Sequence, residues 1–325
     1  MWYSHGPLLT HNGFINMIMG GRGIGKTFDF KDWAINDKTG ACVWIRRYDN
    51  VFTQQFYSGF CKDLIAEGRV SEDLIRIESG ILYYDKTPKI YFIPLSLQQK
   101  YKSINFGDVN KVIFDEFAEI KSWKYLANEV NEFMELLETI NRLRPEGKEV
   151  RVFMLANKIS WVNPYSKAWG IKPFTQRFKH FKDGLLVVEN WNDPDFITAK
   201  KQTKFGRFVD GTEYGDYAIE NVVWQDDSAF LASRPKNSDC WVNVRIDNRI
   251  IGIWLHDYTL YCSRKYDPQR PTFAAREDLR ENEEAYLSSQ EPITTLKKFS
   301  AQGRLMYEDN VIKSDIFEVM LSSFR

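Results

Sequence analysis

Residues 20–27 read Gly20-Gly21-Arg22-Gly23-Ile24-Gly25-Lys26-Thr27, an instance of the pattern G-x-x-x-x-G-K-[ST]. The run before it, Phe14-Ile15-Asn16-Met17-Ile18-Met19, is short and mostly apolar and reads as a buried strand. The run after it, Lys26 to Ile35, has helical texture and is stopped by Asp37-Lys38-Thr39-Gly40. A strand, a glycine turn and a helix in that order is the setting in which the pattern has a mechanism. Glycines let successive backbone N–H groups curl around a β-phosphate without Cβ clashes, and the helix N-terminus adds its partial positive charge. Lys26 then reaches the β- and γ-phosphates, and Thr27 offers a hydroxyl to Mg²⁺. Arg22, inside the loop, either contacts the γ-phosphate or is solvated. The cofactors this reading calls for are ATP and Mg²⁺.

A second apolar strand, Lys111-Val112-Ile113-Phe114, delivers the carboxylates of Asp115 and Glu116 to the carboxyl edge of a sheet, where ligands of open α/β sheets bind. In that position Asp115 holds Mg²⁺ through water, and Glu116 orients and deprotonates the water that attacks the γ-phosphate. An acidic pair there favours hydrolysis over kinase chemistry. Asn157 ends the strand Arg151–Ala156 and, one strand over from Asp115, either senses the γ-phosphate or begins a turn. The helix at about 128–143 carries an apolar face of Val130, Phe133, Met134, Leu137 and Ile140, stopped by Pro145 and Gly147. Arg142 points nearly opposite that face, exposed in the last turn. It serves either as an arginine finger for a neighbouring subunit or as the cation a helix C-terminus favours. Arg144 falls back toward the apolar side.

Other expected elements are a strand at 41–47, a helix over 51–67 and short strands at 81–84 and 90–94. Alternating strands and helices predict an α/β fold, a P-loop ATPase domain with a mostly parallel sheet over 1–195. A basic, glycine-rich stretch over 196–222 reads as a partly helical linker. From 223 to 325 a strand meander (241–246, 249–255, 259–263) and helices near 276–287, 293–302 and 311–324 predict a smaller α+β domain.

Composition narrows the class. The 325 residues are 43% apolar and 27% charged, which excludes wholesale disorder and fibrous repeats. Lys plus Arg number 44 and Asp plus Glu 44, so the chain is not a globally basic nucleic-acid binder, though a local basic stripe remains open. The four cysteines and four histidines show no zinc or disulfide spacing, and a reducing compartment fits. No run approaches the roughly 18 apolar residues a membrane helix needs, and the first residues lack a signal-peptide pattern. The expected location is therefore cytoplasmic, with no membrane partner.

At GGRGIGKT (20–27), WIRRY (44–48), IPLS (93–96), VIFDEF (112–117), NEV (128–130), the helix end at Arg142, AN (156–157), VNPY (162–165) and KFGRFVDGTEYG (204–215), the sequence resembles the DNA-packaging motor ATPases of phi-29-type bacteriophages. These are ASCE P-loop ATPases related to large terminases. The likeness covers most of 12–225 and weakens beyond, and its most specific part is FGRFVDGTEYG, which no general ATPase mechanism demands. It implies a homo-oligomeric ring, a pentamer, that docks on the portal of an empty capsid in the host cytoplasm. There it drives double-stranded DNA inward with ATP. In the phi-29 type a packaging RNA joins motor to portal. By position, Lys26, Asp115, Glu116 and Arg142 match the phosphate lysine, the Mg²⁺ aspartate, the catalytic glutamate and the trans-acting arginine.

The resemblance also implies a degenerate RNase-H-like C-terminal domain used for docking. Asp247 and Asp257 fall near strand ends without completing a nuclease triad. DNA-contacting residues are not legible; Lys100, Lys102, Lys121 and Lys124 are candidates, equally readable as solvated lysines. Alternatives from other classes are a helicase or RNA translocase, a terminase-like nuclease, and a nucleotide-gated assembly protein.

Overall fold

The computed structural model describes residues 2–119, 125–126, 128–142, 144–145, 148–157, 163–171, 174–212, 230–246, 249–276, 280–281, 284–287 and 291–322. The chain forms two compact units, Met1–Gln225 and Asp226–Arg325. Strands of the first unit are β1 (Ile15–Gly20), β2 (Ala41–Arg46), β3 (Ile75–Glu78), β4 (Ile81–Tyr84), β5 (Thr87–Pro94), β6 (Val109–Asp115), β7 (Arg151–Asn157), β8 (Phe178–Phe181) and β9 (Leu186–Trp191). They make one nine-stranded sheet in the order β3-β4-β5-β2-β6-β7-β1-β9-β8. Its centre, from β5 across to β9 in that order, is parallel, and only the flanking strands β3, β4 and β8 pair antiparallel. The mostly parallel α/β sheet read from the sequence is the observed architecture.

Helices of this unit are α1 (Gly6–Leu9), α2 (Lys26–Asn36), α3 (Gln54–Gly59), α4 (Lys62–Ala66), α5 (Glu129–Asn141), α6 (Pro164–Trp169), α7 (Pro194–Lys201) and α8 (Lys204–Val209). Strand alternation sends side chains to two cores, one on each face of the sheet. Ile18, Trp44, Ile113 and Phe153 pack with Phe30 and Ala34 of α2. Met17, Met19, Val112, Phe114 and Met154 pack with Phe133, Leu136, Leu137 and Ile140 of α5.

Several local expectations shift. The single helix expected over 51–67 is broken at Phe60–Cys61 into α3 and α4, and a short 3₁₀ turn precedes them. On α5 the buried stripe runs through Leu136, whereas Met134 is 41% exposed. At about 100° per residue, Met134 lies more than a quarter-turn from the Phe133–Leu137–Ile140 line, and Leu136 lies on its other flank. Strands β8 and β9 have no counterpart in the sequence reading. Glu189 and Asn190 interrupt the Leu-Val-Val run, yet both are buried in the sheet.

In the second unit β10 (Asp239–Ile246), β11 (Arg249–His256) and β12 (Thr259–Ser263) form the expected antiparallel meander. β13 (Thr272–Ala274), β14 (Ala285–Tyr286) and β15 (Leu305–Tyr307) then join in parallel, giving the order β14-β13-β10-β11-β12-β15. The helix expected near 276–287 is corrected: Ala285 and Tyr286 pair with Phe273 and Ala274 as strand. Helices α9 (Glu291–Ala301) and α10 (Asn310–Ser322) cover the sheet through Leu296, Ile312 and Ile316. All four cysteines are buried and free. Among the described residues no helix is long and apolar enough to cross a membrane.

The α5 register has a direct test. Phe133→Ala, fully buried, should cost about 3–5 kcal/mol in urea unfolding of the first unit. Met134→Ala should cost under about 1 kcal/mol. Equal costs would mean that the helix presents a different face to the sheet.

Candidate active site

β1 runs into the glycine loop and α2 leaves it. Gly23 and Gly25 adopt φ values of 79° and 94°, a left-handed backbone that side chains resist. Gly20 leaves no room for a Cβ, which would come within 2.8 Å of Ile24 Cδ1. Ile24 is fully buried and anchors the loop, while Arg22 and Gly23 are exposed at its crest. The Arg22 side chain is thus solvated, and its backbone carbonyl accepts a hydrogen bond from Lys200 Nζ at 2.7 Å.

Lys26 begins α2 with its side chain folded into the loop, where Nζ donates to the carbonyls of Gly20 (3.1 Å) and Gly21 (2.8 Å). Only 7% of it is exposed. Burial lowers its pKa to about 7, with Lys200 lowering it further and Asp115 opposing. Asp115 ends β6 and is 3% exposed. Its Oδ1 accepts from Thr27 Oγ1 at 3.2 Å, and its Oδ2 lies 2.9 Å from an Arg46 guanidinium nitrogen. Burial pushes the Asp115 carboxyl up, and Arg46 resists that shift.

Glu116 follows Asp115 with φ of 60°, a strained conformation for a non-glycine residue. That turn carries its carboxylate to the surface, where Arg46 donates to it at 2.5 Å. Arg46 therefore grips both acids. Its neighbour Arg47 points to the opposite face. It binds Glu129 at 2.6 and 2.8 Å and donates to the backbone carbonyls of Glu116 and Phe117. The sequence reading quotes both arginines only within WIRRY (44–48) and gives neither a role; a paired Arg-Arg at the carboxyl end of a buried strand is the signal that could have supplied one.

The sheet order decides which other residues arrive. β7 lies between β1 and β6, so Asn157 sits directly beside Gly20 in register, with Leu155 beside Asp115. Arg142 is not brought to the loop. It is exposed just past the end of α5, whose first turn is fastened to Arg47 near Glu116 and Phe117. Two residues further on, Arg144 hydrogen-bonds to the carbonyl of Phe106, ahead of β6. α5 is about 20 Å long at 1.5 Å per residue, and Arg142 lies just past the end that is not fastened to Arg47. Arg142 and Arg144 line a pocket of about 510 Å³ with Ser103–Gly107 and Lys148.

Among the DNA-contact candidates, Lys102 pairs with Glu135 at 3.0 Å and Lys100 is exposed. Lys121 and Lys124 lie outside the described residues, as does Asp247. Asp257 stands 91% exposed in a turn. Among the described residues no three His, Cys, Asp or Glu side chains form a metal-binding group.

The family model for the podovirus DNA encapsidation protein (Gp16) matches residues 1–323. This chain belongs to that family. The likeness thus extends well past the first 225 residues, through the second unit. The DNA packaging protein of Bacillus phage phi29 is 28% identical over 330 residues, covering 98% of this chain and 97% of its own. That of Bacillus phage B103 is 27% identical over 323 residues, covering 96% and 98%. Among solved structures, the bacteriophage phi-29 viral genome packaging motor assembly aligns with a TM-score of 0.77 at 26% identity, covering 100% of this chain and 99% of that one. The N-terminal domain of the phi29 DNA packaging ATPase aligns at 0.51 with 27% identity, over 60% of this chain and 98% of its own.

The site makes a prediction without any ligand. Between pH 7 and its ordinary value of 10.5, the unfolded chain holds the Lys26 proton and the folded chain does not. The contribution of this group to stability therefore rises with pH across that window. Nitrogen-labelled lysine NMR should show one amine titrating near pH 7, absent in Lys26→Met. A spectrum with every lysine titrating above pH 9 would contradict a buried Lys26 amine.

Proposed function

We propose that this chain is the ATP-hydrolysing subunit of a ring motor that moves double-stranded DNA into an empty capsid. One observation carries the chemistry. The Thr27 hydroxyl and the Asp115 carboxylate meet beside the buried Lys26 amine, in a chain whose family is one of DNA encapsidation proteins. The residues fit MgATP. Left-handed backbone at Gly23 and Gly25 turns amides toward a common anion, and a hydroxyl–carboxylate pair is the oxygen donor set Mg²⁺ prefers. Thr27 and Asp115 would hold the ion, which when bound screens phosphate charge and polarises the γ-phosphoryl group.

The chain's own groups do the rest. Lys26 exchanges its two carbonyl partners for phosphate oxygens, an interaction that favours its protonated form. Glu116 orients water and accepts its proton. The Arg46 contact at 2.5 Å occupies a Glu116 carboxylate oxygen, so placing water there requires that contact to loosen. Asn157, beside Gly20, is placed to feel the γ-phosphate. Arg142 lies far from its own loop, which supports delivery to a neighbouring subunit's nucleotide. A finger acting in trans is typically worth about 10³–10⁵ in rate. In this reading 1–195 is the ATPase domain, 196–222 a linker and 223–325 a docking domain for the portal or a packaging RNA. The ring is a pentamer working at the capsid vertex in the host cytoplasm.

The decisive experiment is ATP-dependent protection of DNA from nuclease inside purified empty capsids; no protection with active protein would end the proposal. Lys26→Ala should abolish nucleotide binding or turnover, measured by phosphate release. Glu116→Gln should bind ATP and trap it intact. Mixing Glu116→Gln with Arg142→Ala subunits should restore part of the activity that each lacks alone, and no rescue at any ratio would count against the trans arginine. Binding should also take up a proton near pH 8 and close to none near pH 6, because phosphate raises a Lys26 pKa that starts at about 7. Calorimetry in buffers of different ionisation enthalpy reads this directly.

A further inference from the structure

Lys26, Thr27 and Asp115 account for the phosphates and the metal and leave the nucleoside without a partner. Its direction follows from the sheet. The metal end of the site lies toward β7 and β6, so the nucleoside leaves the loop on the other side of β1, toward β9. Three elements converge there: Trp191 at the end of β9, α7 with Phe196, and the segment Trp2–His5.

That segment is built in place. Tyr3 is 4% exposed, its backbone N–H donates to Ile24 of the loop at 2.9 Å, and its hydroxyl donates to buried Glu189 at 2.8 Å. Two residues on, the His5 ring meets Asp29 of α2 at 2.7 Å. On this pinned segment, Trp2 lies over Gly25, where an added Cβ would sit 3.3 Å from its ring. Trp2 is nevertheless 71% exposed. Phe196 meets it edge-on at 5.9 Å, and Phe196 in turn packs edge-on against Trp191 at 6.1 Å. The same helix is tied to the loop through Lys200 and the Arg22 carbonyl.

An exposed aromatic face on a fixed segment, beside a phosphate loop and on its nucleoside side, is a stacking platform. We propose that Trp2, backed by Phe196, stacks on the purine base of the bound nucleotide and sets the preference for purine over pyrimidine triphosphates. Because Phe196 and Lys200 belong to α7, base and loop both bear on the chain that leads out of the first unit. This inference rests on the nucleotide reading of the loop, and its test separates the two.

Full-length wild type, Trp2→Ala and Trp2→Phe are titrated with a non-hydrolysable ATP analogue, with CTP and with inorganic tripolyphosphate, all with Mg²⁺. Base–aromatic stacking predicts that Trp2→Ala weakens the ATP analogue by about tenfold or more and narrows the gap between ATP analogue and CTP. Tripolyphosphate, which has no base, should change by less than about twofold, and Trp2→Phe should retain most of the affinity. An ATP-analogue affinity unchanged in Trp2→Ala would overturn the platform, as would parallel loss of tripolyphosphate, which marks a disturbed loop. Wild type that binds neither the analogue nor tripolyphosphate would instead overturn the nucleotide reading itself.

Discussion

A carboxylate removed from water must be given its charge partners by the protein, and Asp115 is the acid on which the first unit turns. It sits at the end of β6 with 3% exposure. Burial favours its neutral form, and the Arg46 charge opposes that shift. Arg46 from β2 and the Thr27 hydroxyl from α2 hold it from two sides. Those partners come from segments far apart in the chain, so the acid gains them only when β1, β2 and β6 are assembled in one parallel sheet. The insertion of β7 between β1 and β6 sets the gap across which Thr27 and Asp115 meet.

The second arginine of the Arg46-Arg47 pair plays a different part because successive strand residues face opposite sides of a sheet. Arg47 is buried against Glu129, which also accepts from the Tyr165 hydroxyl at 3.0 Å. Removing one member of such a cluster leaves an uncompensated charge, typically a loss of about 3–5 kcal/mol. Its geometry matters as much as its energy. One guanidinium fixes the backbone of Glu116 and Phe117 to the first turn of α5, and the other end of that helix carries Arg142. The acid pair and the distant arginine are therefore joined through one helix, α5, fastened at its first turn and carrying Arg142 at its end.

How much is legible follows from which signals are local. Residues 20–27 and 112–117 carry their meaning in residue type and spacing, since glycine conformational freedom and an apolar strand ending in acids are properties of a short stretch. The five-residue stripe expected on α5 places Met134 inside and omits Leu136, because a few degrees of helix rotation decide the edges of a face. β9 escapes the sequence reading for a stronger reason. Glu189 and Asn190 look like surface residues, and Tyr3 and Arg177, contributed by separate segments, give the buried Glu189 its partners. The expected helix near 276–287 fails where Ala285 and Tyr286 find a strand partner in β13, an override that local propensity cannot anticipate.

By itself the sequence determined the glycine-rich strand–loop–helix, the acid pair, the alternating α/β pattern and the family likeness, all of which depend on neighbouring residues or on recurrent motifs. Tertiary structure alone decided that Arg46 grips both acids, that Arg47 anchors α5, that Arg142 stands away from its own loop, and that Trp2 and α7 pack beside the glycine loop. Each of these is a contact between segments distant along the chain. Such contacts are set by strand order and strand register, which hydrophobic periodicity does not encode.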